Sequence, residues 1–336
     1  MPRACILAPA GTDLTVAERQ FFTTADPAGF VLFARNCDTP DQVRALTADL
    51  RDCVGRADAP VLIDQEGGRI ARLEPPHWPV RPAAARFGAL HAQDPTAAQE
   101  AARLNARLLA ADVRALGITV DCIPVLDVPV PGADPVIGNR AFSADVKAVC
   151  DLGQAVCEGL RAGGVSPVIK HLPGHGRAPA DSHVVLPRVD ARREDLDAAD
   201  FVPFRKLNAE PWGMTAHVLY TDLDDAAASA SVRIIQDIIR DAIGFDGLLL
   251  SDDIGMGALA GSFAERTAAC LEAGCDTVLH CKGAMEEMRE VVAAVPMMSG
   301  KGLERWTRAV ADARAPEPFD AAAATLRLDE LLAGHA

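Results

Sequence analysis

Short runs of apolar residues recur along the 336-residue chain, and a longer stretch with helical character follows nearly every run. Several runs are continuously apolar rather than alternating, which is typical of parallel strands buried on both faces. The runs predict eight strands, at residues 4–7, 29–33, 60–64, 118–122, 165–170, 212–216, 247–251 and 277–279. The pattern therefore predicts a parallel β-sheet with helices between its strands.

Start and stop signals mark the helices between these strands. A Ser, Thr or Asp that can cap a helix precedes each one, and a glycine that suits the left-handed terminal position ends it. Proline follows two of the caps, where its missing N–H costs nothing. The predicted helices start at Thr39, Asp94, Ser143, Ser231 and Ser262 and end at Gly55, Gly117, Gly163, Gly244 and Gly274, and a last helical segment covers roughly 314–336.

Eight strands that alternate with helices predict a (β/α)8 barrel of the TIM type, an α/β fold. A doubly wound open sheet is the alternative, but no Gly-x-Gly-x-x-Gly motif follows an early strand. No Pro-, Gly- or Ser-rich linker divides the chain, so residues 1–336 are interpreted as a single catalytic domain. We expect its active-site loops at 65–94, 123–142 and 171–187, and a helical C-terminal end.

Composition narrows the classes of partner. The net charge is −14, with no basic footprint for nucleic acid. No apolar run approaches the roughly 18 residues of a membrane span, and the N-terminus lacks the pattern of a signal peptide. Only 15 residues are aromatic (11 Phe, 3 Trp and 1 Tyr), which argues against an aromatic-paved groove for a polymer. We therefore expect a small-molecule substrate, no nucleic-acid or membrane partner, and a monomer or weak homo-oligomer.

Cysteine usage indicates the compartment. The chain has nine cysteines, an odd number at irregular spacing, and no Cys-x-x-Cys pair. A disulfide framework or a zinc or redox motif would need regular pairs. Buried free thiols in a reducing cytoplasm are the better interpretation.

Polar residues cluster where predicted strands end, and in a barrel those ends form the active-site face. Asp252 and Asp253 follow the apolar strand at 247–251, so a carboxylate there projects into the barrel mouth. The plain alternative is a helix cap or an ion-pair partner. Asp252 comes directly off the strand, and we expect it to carry the chemistry while Asp253 caps the following segment.

The segment from 170 to 187 holds three histidines in a Gly- and Pro-rich loop. Asp181 and His183 lie two residues apart, close enough for the carboxylate to orient the imidazole. His171 and His175 are four apart, the spacing of two zinc ligands on a helix. The Leu-Pro-Gly sequence between them opposes a helix, so a metal site there is the weaker interpretation.

Basic residues form a third group at the strand ends: Arg69, Arg72, Arg140 and Lys170. In an acidic protein their plain role is to pair with carboxylates. Their functional role would be to donate hydrogen bonds to hydroxyl, carbonyl or carboxylate oxygens of a substrate.

The motifs together resemble glycoside hydrolase family 3, in particular its single-domain bacterial β-N-acetylglucosaminidases. The resemblance starts at 29–36 and extends past Arg266, so it covers most of the chain. Its motifs occur in order as DQEGGR at 64–69, IGNR at 137–140, KHLPGHG at 170–176, DSH at 181–183, MTAH at 214–217 and SDD at 251–253.

The resemblance implies a role for each matching residue. Asp252 would be the nucleophile that attacks the anomeric carbon, His183 the general acid/base and Asp181 its partner. The terminal N-acetylglucosamine (GlcNAc) would be held by Asp64, Arg72, Arg140, Lys170 and His171, with His175, His217 and Asp253 as supporting residues. The implied reaction removes GlcNAc from GlcNAc-1,6-anhydro-MurNAc, with or without peptide, in the recycling of peptidoglycan. It needs no metal or organic cofactor.

The catalytic loop departs from the family pattern at one point. Many members have an acidic residue and a Thr after the Gly-His-Gly motif, where this chain has Arg177 and Ala178. The spacing to Asp181 and His183 is unchanged, so we expect the pair to function. The change concerns loop dynamics or contacts to the leaving group.

Three alternatives remain open at this point. A phosphorylase on the same fold would keep the nucleophile and transfer the sugar to phosphate. A metal-dependent barrel hydrolase would use His171, His175 and His217. A non-catalytic sugar-binding protein would bind GlcNAc without forming a covalent intermediate.

Overall fold

Eight parallel strands close into a barrel in the computed structural model, which describes residues 1–333. Each strand pairs with its sequence neighbours, and the first pairs with the last. The strands are β1 (Arg3–Leu7), β2 (Pro27–Leu32), β3 (Val61–Ile63), β4 (Val120–Asp121), β5 (Ser166–Leu172), β6 (Trp212–Thr215), β7 (Leu248–Asp253) and β8 (Thr277–His280). All eight predicted strands are confirmed, with ends that differ by a few residues.

Helices surround the barrel and alternate with its strands, which confirms the predicted architecture. The α-helices are α1 (Val16–Ala25), α2 (Pro40–Val54), α3 (Ala84–His91), α4 (Pro95–Arg114), α5 (Val146–Ala162), α6 (Arg193–Ala198), α7 (Val202–Lys206), α8 (Phe263–Ala273), α9 (Met285–Ala294), α10 (Gly300–Asp312) and α11 (Ala321–Ala333). A wider helix with π-type hydrogen bonds covers Ile234–Ala242. Outside the barrel, Arg188–Val189 pairs in parallel with Leu219–Tyr220.

Most of the predicted helix caps are present. The hydroxyl of Thr39 accepts from the N–H of Gln42 at the start of α2, and Gly55 ends that helix at φ 62°. Ser231 caps the helical turn that leads into Ile234–Ala242, and the prediction of Ser262 as the cap of α8 is likewise confirmed.

The predicted cap at Ser143 is wrong. Helix α5 begins two residues later, after Asp145, whose carboxylate accepts from the N–H of Lys147. The hydroxyl of Ser143 instead accepts from the N–H of Asp145 at 3.0 Å. Two capping residues stand close together here, and a carboxylate competes well for the free N–H groups of a helix start.

Apolar side chains form two layers. The first lies between the strands and the surrounding helices. The second fills the inside of the barrel and includes Ile6, Leu62 and Trp212. Helix α10 lies at the end of the barrel where the strands begin. The indole N–H of Trp212, the first residue of β6, donates to the carbonyl of Ala309 in this helix. In barrels of this type the active site lies at the other end, where the strands finish.

The predicted C-terminal helical segment at 314–336 is helical only in part, because helix α11 covers Ala321–Ala333 and residues 314–320 form no helix. Helix α11 packs against α4, and the predicted positions 334–336 lie outside the described residues. All nine cysteines are free thiols, as predicted. Within residues 1–333, no helix is long and apolar enough to cross a membrane.

Candidate active site

A cavity of about 200 Å³ opens at the C-terminal ends of the strands. Acidic, basic and imidazole side chains converge on it from the ends of β3, β5 and β7 and from the loops after β3, β4 and β5. It is lined by nine of the predicted site residues: Asp64, Arg72, Arg140, Lys170, His171, His175, His183, Asp252 and Asp253. The structure therefore brings these nine residues together at one end of the barrel.

A larger cavity of about 800 Å³ lies near the starts of β6 and β7, at the opposite end of the barrel. Three of its four arginines are already paired with carboxylates of its own wall: Arg161 with Glu210, and Arg305 and Arg308 with Asp246. Paired charges leave few groups for a ligand or a reaction. The smaller cavity is therefore the candidate active site.

Asp252 and Asp253 have different surroundings at the end of β7. Burial raises the pKa of Asp252, but the nearby charges of His171 and His217 outweigh burial, and the pKa lies below its ordinary value. Asp252 is thus ionised at neutral pH. The carboxylate of Asp253 accepts from the backbone N–H groups of Gly255 at 2.9 Å and Cys281 at 3.2 Å. Asp253 therefore fixes the backbone beside the site, whereas the carboxylate of Asp252 accepts a hydrogen bond through Oδ1 alone, from the N–H of Asp253 at 2.8 Å.

His183 and Asp181 form the predicted pair on the loop after β5. Nδ1 of His183 lies 2.7 Å from Oδ1 of Asp181, and the same oxygen accepts from the His183 backbone N–H at 2.8 Å. Two bonds to one carboxylate orient the ring through Nδ1, and Nε2 is not used by the pair. The His183 side chain is 62% exposed, and Asp252, which is partly buried, lines the same cavity.

Lys170 is the centre of a buried ionic network. Its Nζ lies 2.9 Å from Asp64 Oδ1 and 2.8 Å from Glu66 Oε1. Arg72 contacts the other oxygen of Asp64 at 3.1 Å, and Arg140 grips both oxygens of Glu66 at 2.8 and 2.9 Å. The network holds three cations around two carboxylates at one wall of the cavity.

The network also sets the charge state of its carboxylates. Burial raises the pKa of Asp64, but the charges of Lys170 and Arg72 outweigh burial and hold the pKa well below its ordinary range. The pKa of Lys170 changes in the opposite direction. Burial lowers this pKa, but the charges of Asp64 and Glu66 raise it more, so it lies above its ordinary value. Every member is charged at neutral pH and can form charge-assisted hydrogen bonds to hydroxyl groups.

Two functional residues were missing from the candidates chosen from the sequence. Glu66 lies inside the DQEGGR motif and supports Lys170 and Arg140. Asp127 is fully buried, and its carboxylate lies 2.7 Å from Nδ1 of His171. Burial raises the pKa of Asp127, but His171 lowers it more, to about 2. The available signal was a lone acidic residue within the apolar run at 123–130.

Asp127 also anchors the start of the catalytic loop. Its Oδ1 accepts from the backbone N–H of His171 at 3.2 Å and from that of His175 at 2.6 Å. The side chain of His175 then reaches Ser182, with Nε2 lying 3.0 Å from Oγ. His171 and His175 are therefore held by one carboxylate and face the cavity together.

The histidines do not form a metal site. Both ring nitrogens of His217 are occupied, one by the hydroxyl of Ser229 at 2.7 Å and the other by the carbonyl of Asp253 at 3.1 Å. Over the described chain, no group of three or more His, Cys, Asp or Glu side chains is placed to hold a metal ion. The metal-dependent alternative therefore lacks a set of ligands among the described residues. His217 instead contacts the backbone carbonyl of Asp253.

Comparison with known proteins adds to this geometry. The family model for the glycosyl hydrolase family 3 N terminal domain matches residues 11–305. The chain belongs to glycoside hydrolase family 3. It is a glycoside hydrolase, and the resemblance seen in its motifs is confirmed.

Relatives and solved structures of family 3 match nearly the whole chain. A β-hexosaminidase of Stenotrophomonas maltophilia (strain R551-3) is 38% identical over 322 residues, covering 92% of this chain and 95% of the relative. NagZ from Neisseria gonorrhoeae, in complex with N-trifluoroacetyl-D-glucosamine, has a TM-score of 0.87 at 30% identity, covering 100% of this chain and 99% of that one. A family 3 β-N-acetylglucosaminidase from Paenibacillus sp. str. FPU-7 has a TM-score of 0.81 at 29% identity, covering 99% and 62%.

The structure explains the departure from the family 3 pattern at Arg177 and Ala178. Nε of Arg177 lies 2.7 Å from a carboxylate oxygen of Asp200, which is 1% exposed. Ala178 is buried, and its carbonyl accepts from the N–H of Asp134 at 2.8 Å. The two residues therefore hold the first half of the loop to Asp200, between α6 and α7, and to the loop after β4, ahead of the Asp181–His183 pair.

Removal of Glu66 tests the ionic network. We expect Glu66→Ala to lower the free energy of unfolding by about 3 kcal/mol, because Arg140 keeps a buried charge without its carboxylate. Denaturant unfolding measures this loss. The matched control is Glu100→Ala, which breaks the exposed pair with Arg327 and should cost less than about 1 kcal/mol. Equal losses in the two variants would contradict the network's role.

Proposed function

We propose that this family 3 hydrolase is a retaining exo-β-N-acetylglucosaminidase. Its substrate would be a small peptidoglycan fragment, GlcNAc-1,6-anhydro-MurNAc with or without peptide, from which it releases terminal GlcNAc. The observation that carries the proposal is a partly buried, ionised carboxylate, Asp252, lining the same small cavity as the His183 ring that Asp181 orients. The β-hexosaminidase relatives support the choice of sugar.

In the first step, a carboxylate oxygen of Asp252 attacks the anomeric carbon. The bond from that carbon to the glycosidic oxygen breaks, and protonated His183 gives its proton to that oxygen. The products are a covalent glycosyl–Asp252 ester, a neutral imidazole and the leaving alcohol. Asp181 stabilises the imidazolium form of His183 before the transfer and keeps the ring aligned.

In the second step, neutral His183 takes a proton from a water molecule. The water oxygen attacks the anomeric carbon on the face that the leaving group vacated, and the carboxylate of Asp252 departs. Two displacements at one carbon retain the β configuration. The imidazolium is regenerated, so the cycle needs no metal or organic cofactor.

The ionic wall is suited to bind one sugar. Asp64 and Glu66 offer charged acceptors for hydroxyl protons, while Lys170, Arg72 and Arg140 offer donors to hydroxyl and carbonyl oxygens. The cavity of about 200 Å³ has room for one sugar ring rather than a chain, which favours exo action. Three cations at this wall also suit a substrate whose remaining part carries carboxylates.

The cellular setting is part of the proposal. Nine free cysteines, several of them fully buried, favour a reducing compartment. Recycling of peptidoglycan fragments in the cytoplasm would supply such a substrate. We propose that the protein acts there on small soluble fragments, as a monomer or weak homo-oligomer.

A comparison of substrates and products tests the proposal. We expect phenyl β-GlcNAc to be cleaved about 100-fold faster than phenyl β-glucoside, because the polar groups of the site are built around one set of substituents. The disaccharide GlcNAc-1,6-anhydro-MurNAc should give free GlcNAc, first seen as the β anomer by NMR. First appearance of the α anomer would contradict the retaining mechanism, and GlcNAc 1-phosphate in phosphate buffer would favour the phosphorylase alternative.

A further inference from the structure

The catalytic loop at 171–187 has a first half, residues 171–178, and a second half after residue 178 that is held differently. Residues 171–178 are fixed to the barrel through Asp127 and the Arg177–Asp200 pair. Beyond them, Val184 is 74% and Val185 50% exposed, so little packing holds the loop beside His183. His183 itself is exposed. Its position therefore depends on a few polar contacts next to it.

One of these contacts comes from Ser182, the residue between Asp181 and His183. Ser182 is 3% exposed, and its Oγ lies 3.0 Å from Nε2 of His175, which is also 3% exposed. His175 is fixed in turn through its backbone N–H to Asp127. The serine hydroxyl thus links the exposed half of the loop to the anchored half.

His175 suits this link because its ring is neutral. Burial lowers the pKa of His175 to about 4, despite the nearby charge of Asp127. A neutral ring beside Ser182 adds no positive charge next to His183, which has to carry a proton in the proposed first step. The contact can therefore orient the loop without opposing protonation of His183.

A second set of contacts comes from the segment that follows Asp252 and Asp253. The backbone N–H of Gly257 donates to the carbonyl of His183 at 3.0 Å, and that of Ala258 donates to the carbonyl of Ser182 at 3.2 Å. Gly257 has no space for a side chain, since an added Cβ would lie 2.4 Å from the carbonyl oxygen of Val184 and 2.9 Å from that of His183. Gly257, which touches the acid/base loop, thus lies five positions after the nucleophile.

We propose that Ser182 and Gly257 are positioning residues that hold His183 over the cavity, Ser182 through its hydroxyl bond to His175 and Gly257 through its N–H and its lack of a side chain. The inference rests on the proposed role of His183 as acid/base. The nucleophile's own strand and the anchored loop then set the placement of the acid/base together. Both residues would act through His183 rather than on the substrate, although Ser182 lines the cavity.

The test uses the leaving group, because a misplaced acid slows only reactions that need protonation of the departing oxygen. The measured quantity is kcat/KM for phenyl β-GlcNAc and for 2,4-dinitrophenyl β-GlcNAc, whose leaving group departs without a proton. We expect Ser182→Ala to lower the first about tenfold and the second less than about twofold. Gly257→Ala should lower the first about 100-fold, because the loop must shift as a whole.

Matched controls and a third variant separate the outcomes. Ser299→Ala and Gly11→Ala remove a hydroxyl and add a methyl group away from the cavity, where Ser299 caps through no side-chain bond and Gly11 has free space; both should leave the two rates unchanged. Equal losses on the two substrates, or no loss in Ser182→Ala, would overturn the inference. His183→Ala is measured alongside and must lose more activity with the phenyl substrate than with the dinitrophenyl substrate. If it does not, the proposed role of His183 is overturned instead.

A double variant provides a readout that does not depend on the fold of Gly257→Ala. If the bond from His175 to Ser182 is what matters, the double variant His175→Phe/Ser182→Ala should lose no more activity than His175→Phe alone. Additive losses would show that Ser182 acts through something else and would contradict its proposed role.

Discussion

Asp252→Ala should lose at least about 10⁴-fold in kcat/KM for an aryl β-GlcNAc. No other group in the cavity can take its place as described: Asp64 and Glu66 are committed to Lys170, and Asp253 to the backbone N–H groups of Gly255 and Cys281. Without the carboxylate, no covalent ester forms and the oxocarbenium-like transition state loses its facing negative charge. Steady-state kinetics measures the loss.

The neighbouring carboxylate provides the control for that experiment. Asp253→Asn keeps an oxygen that can accept from Gly255 and Cys281 but removes the charge one residue away. We expect it to retain activity within about tenfold of the unmodified protein. Near-normal activity of Asp252→Ala, or an equal collapse of both variants, would contradict the assignment of the nucleophile.

His183→Ala should lose about 10³-fold in kcat/KM with phenyl β-GlcNAc and far less with 2,4-dinitrophenyl β-GlcNAc. The ring is held by Asp181 and lies on the open side of the cavity, where a leaving group departs. Dinitrophenolate leaves without protonation, so only the phenyl substrate depends strongly on the imidazolium. The ratio of the two rates is therefore the diagnostic quantity.

An exposed histidine elsewhere provides the control. His77 packs edge-on against Trp78, and His77→Ala should leave both rates unchanged. Equal losses of His183→Ala on the two substrates would remove His183 from the acid role. An unchanged rate on both would remove it from the reaction altogether.

The barrel could be predicted because its strands carry their own signal. Parallel strands buried on both faces read as apolar runs, and runs such as 165–170 and 247–251 correspond to β5 and β7. The paired segments Arg188–Val189 and Leu219–Tyr220 were missed, since two residues are too short for any periodicity. The helix start at Ser143 failed where a second capping residue, Asp145, stood two positions later.

Only part of the candidate site could be predicted from the sequence, for a related reason. Residues at strand ends, such as Asp252 and Lys170, follow a readable apolar run. Asp127 acts through residues 44 and 48 positions away, and such a pairing exists only after the chain folds. Glu66 was visible in its motif, but its bidentate grip on Arg140, 74 positions away, was not. The sequence thus indicates the groups that face the cavity better than the partners that orient them.

Trapping the covalent intermediate tests the central claim most directly. The protein is incubated with 5-fluoro-GlcNAc fluoride, whose ring fluorine slows the breakdown of the glycosyl–enzyme more than its formation, and is then digested and analysed by mass spectrometry. The account predicts one added 5-fluoro-GlcNAc per chain, on the peptide that contains Asp252, and no label on Asp252→Ala. Label on another residue, or turnover of the donor by a retaining route with no labelled protein at any time point, would contradict it.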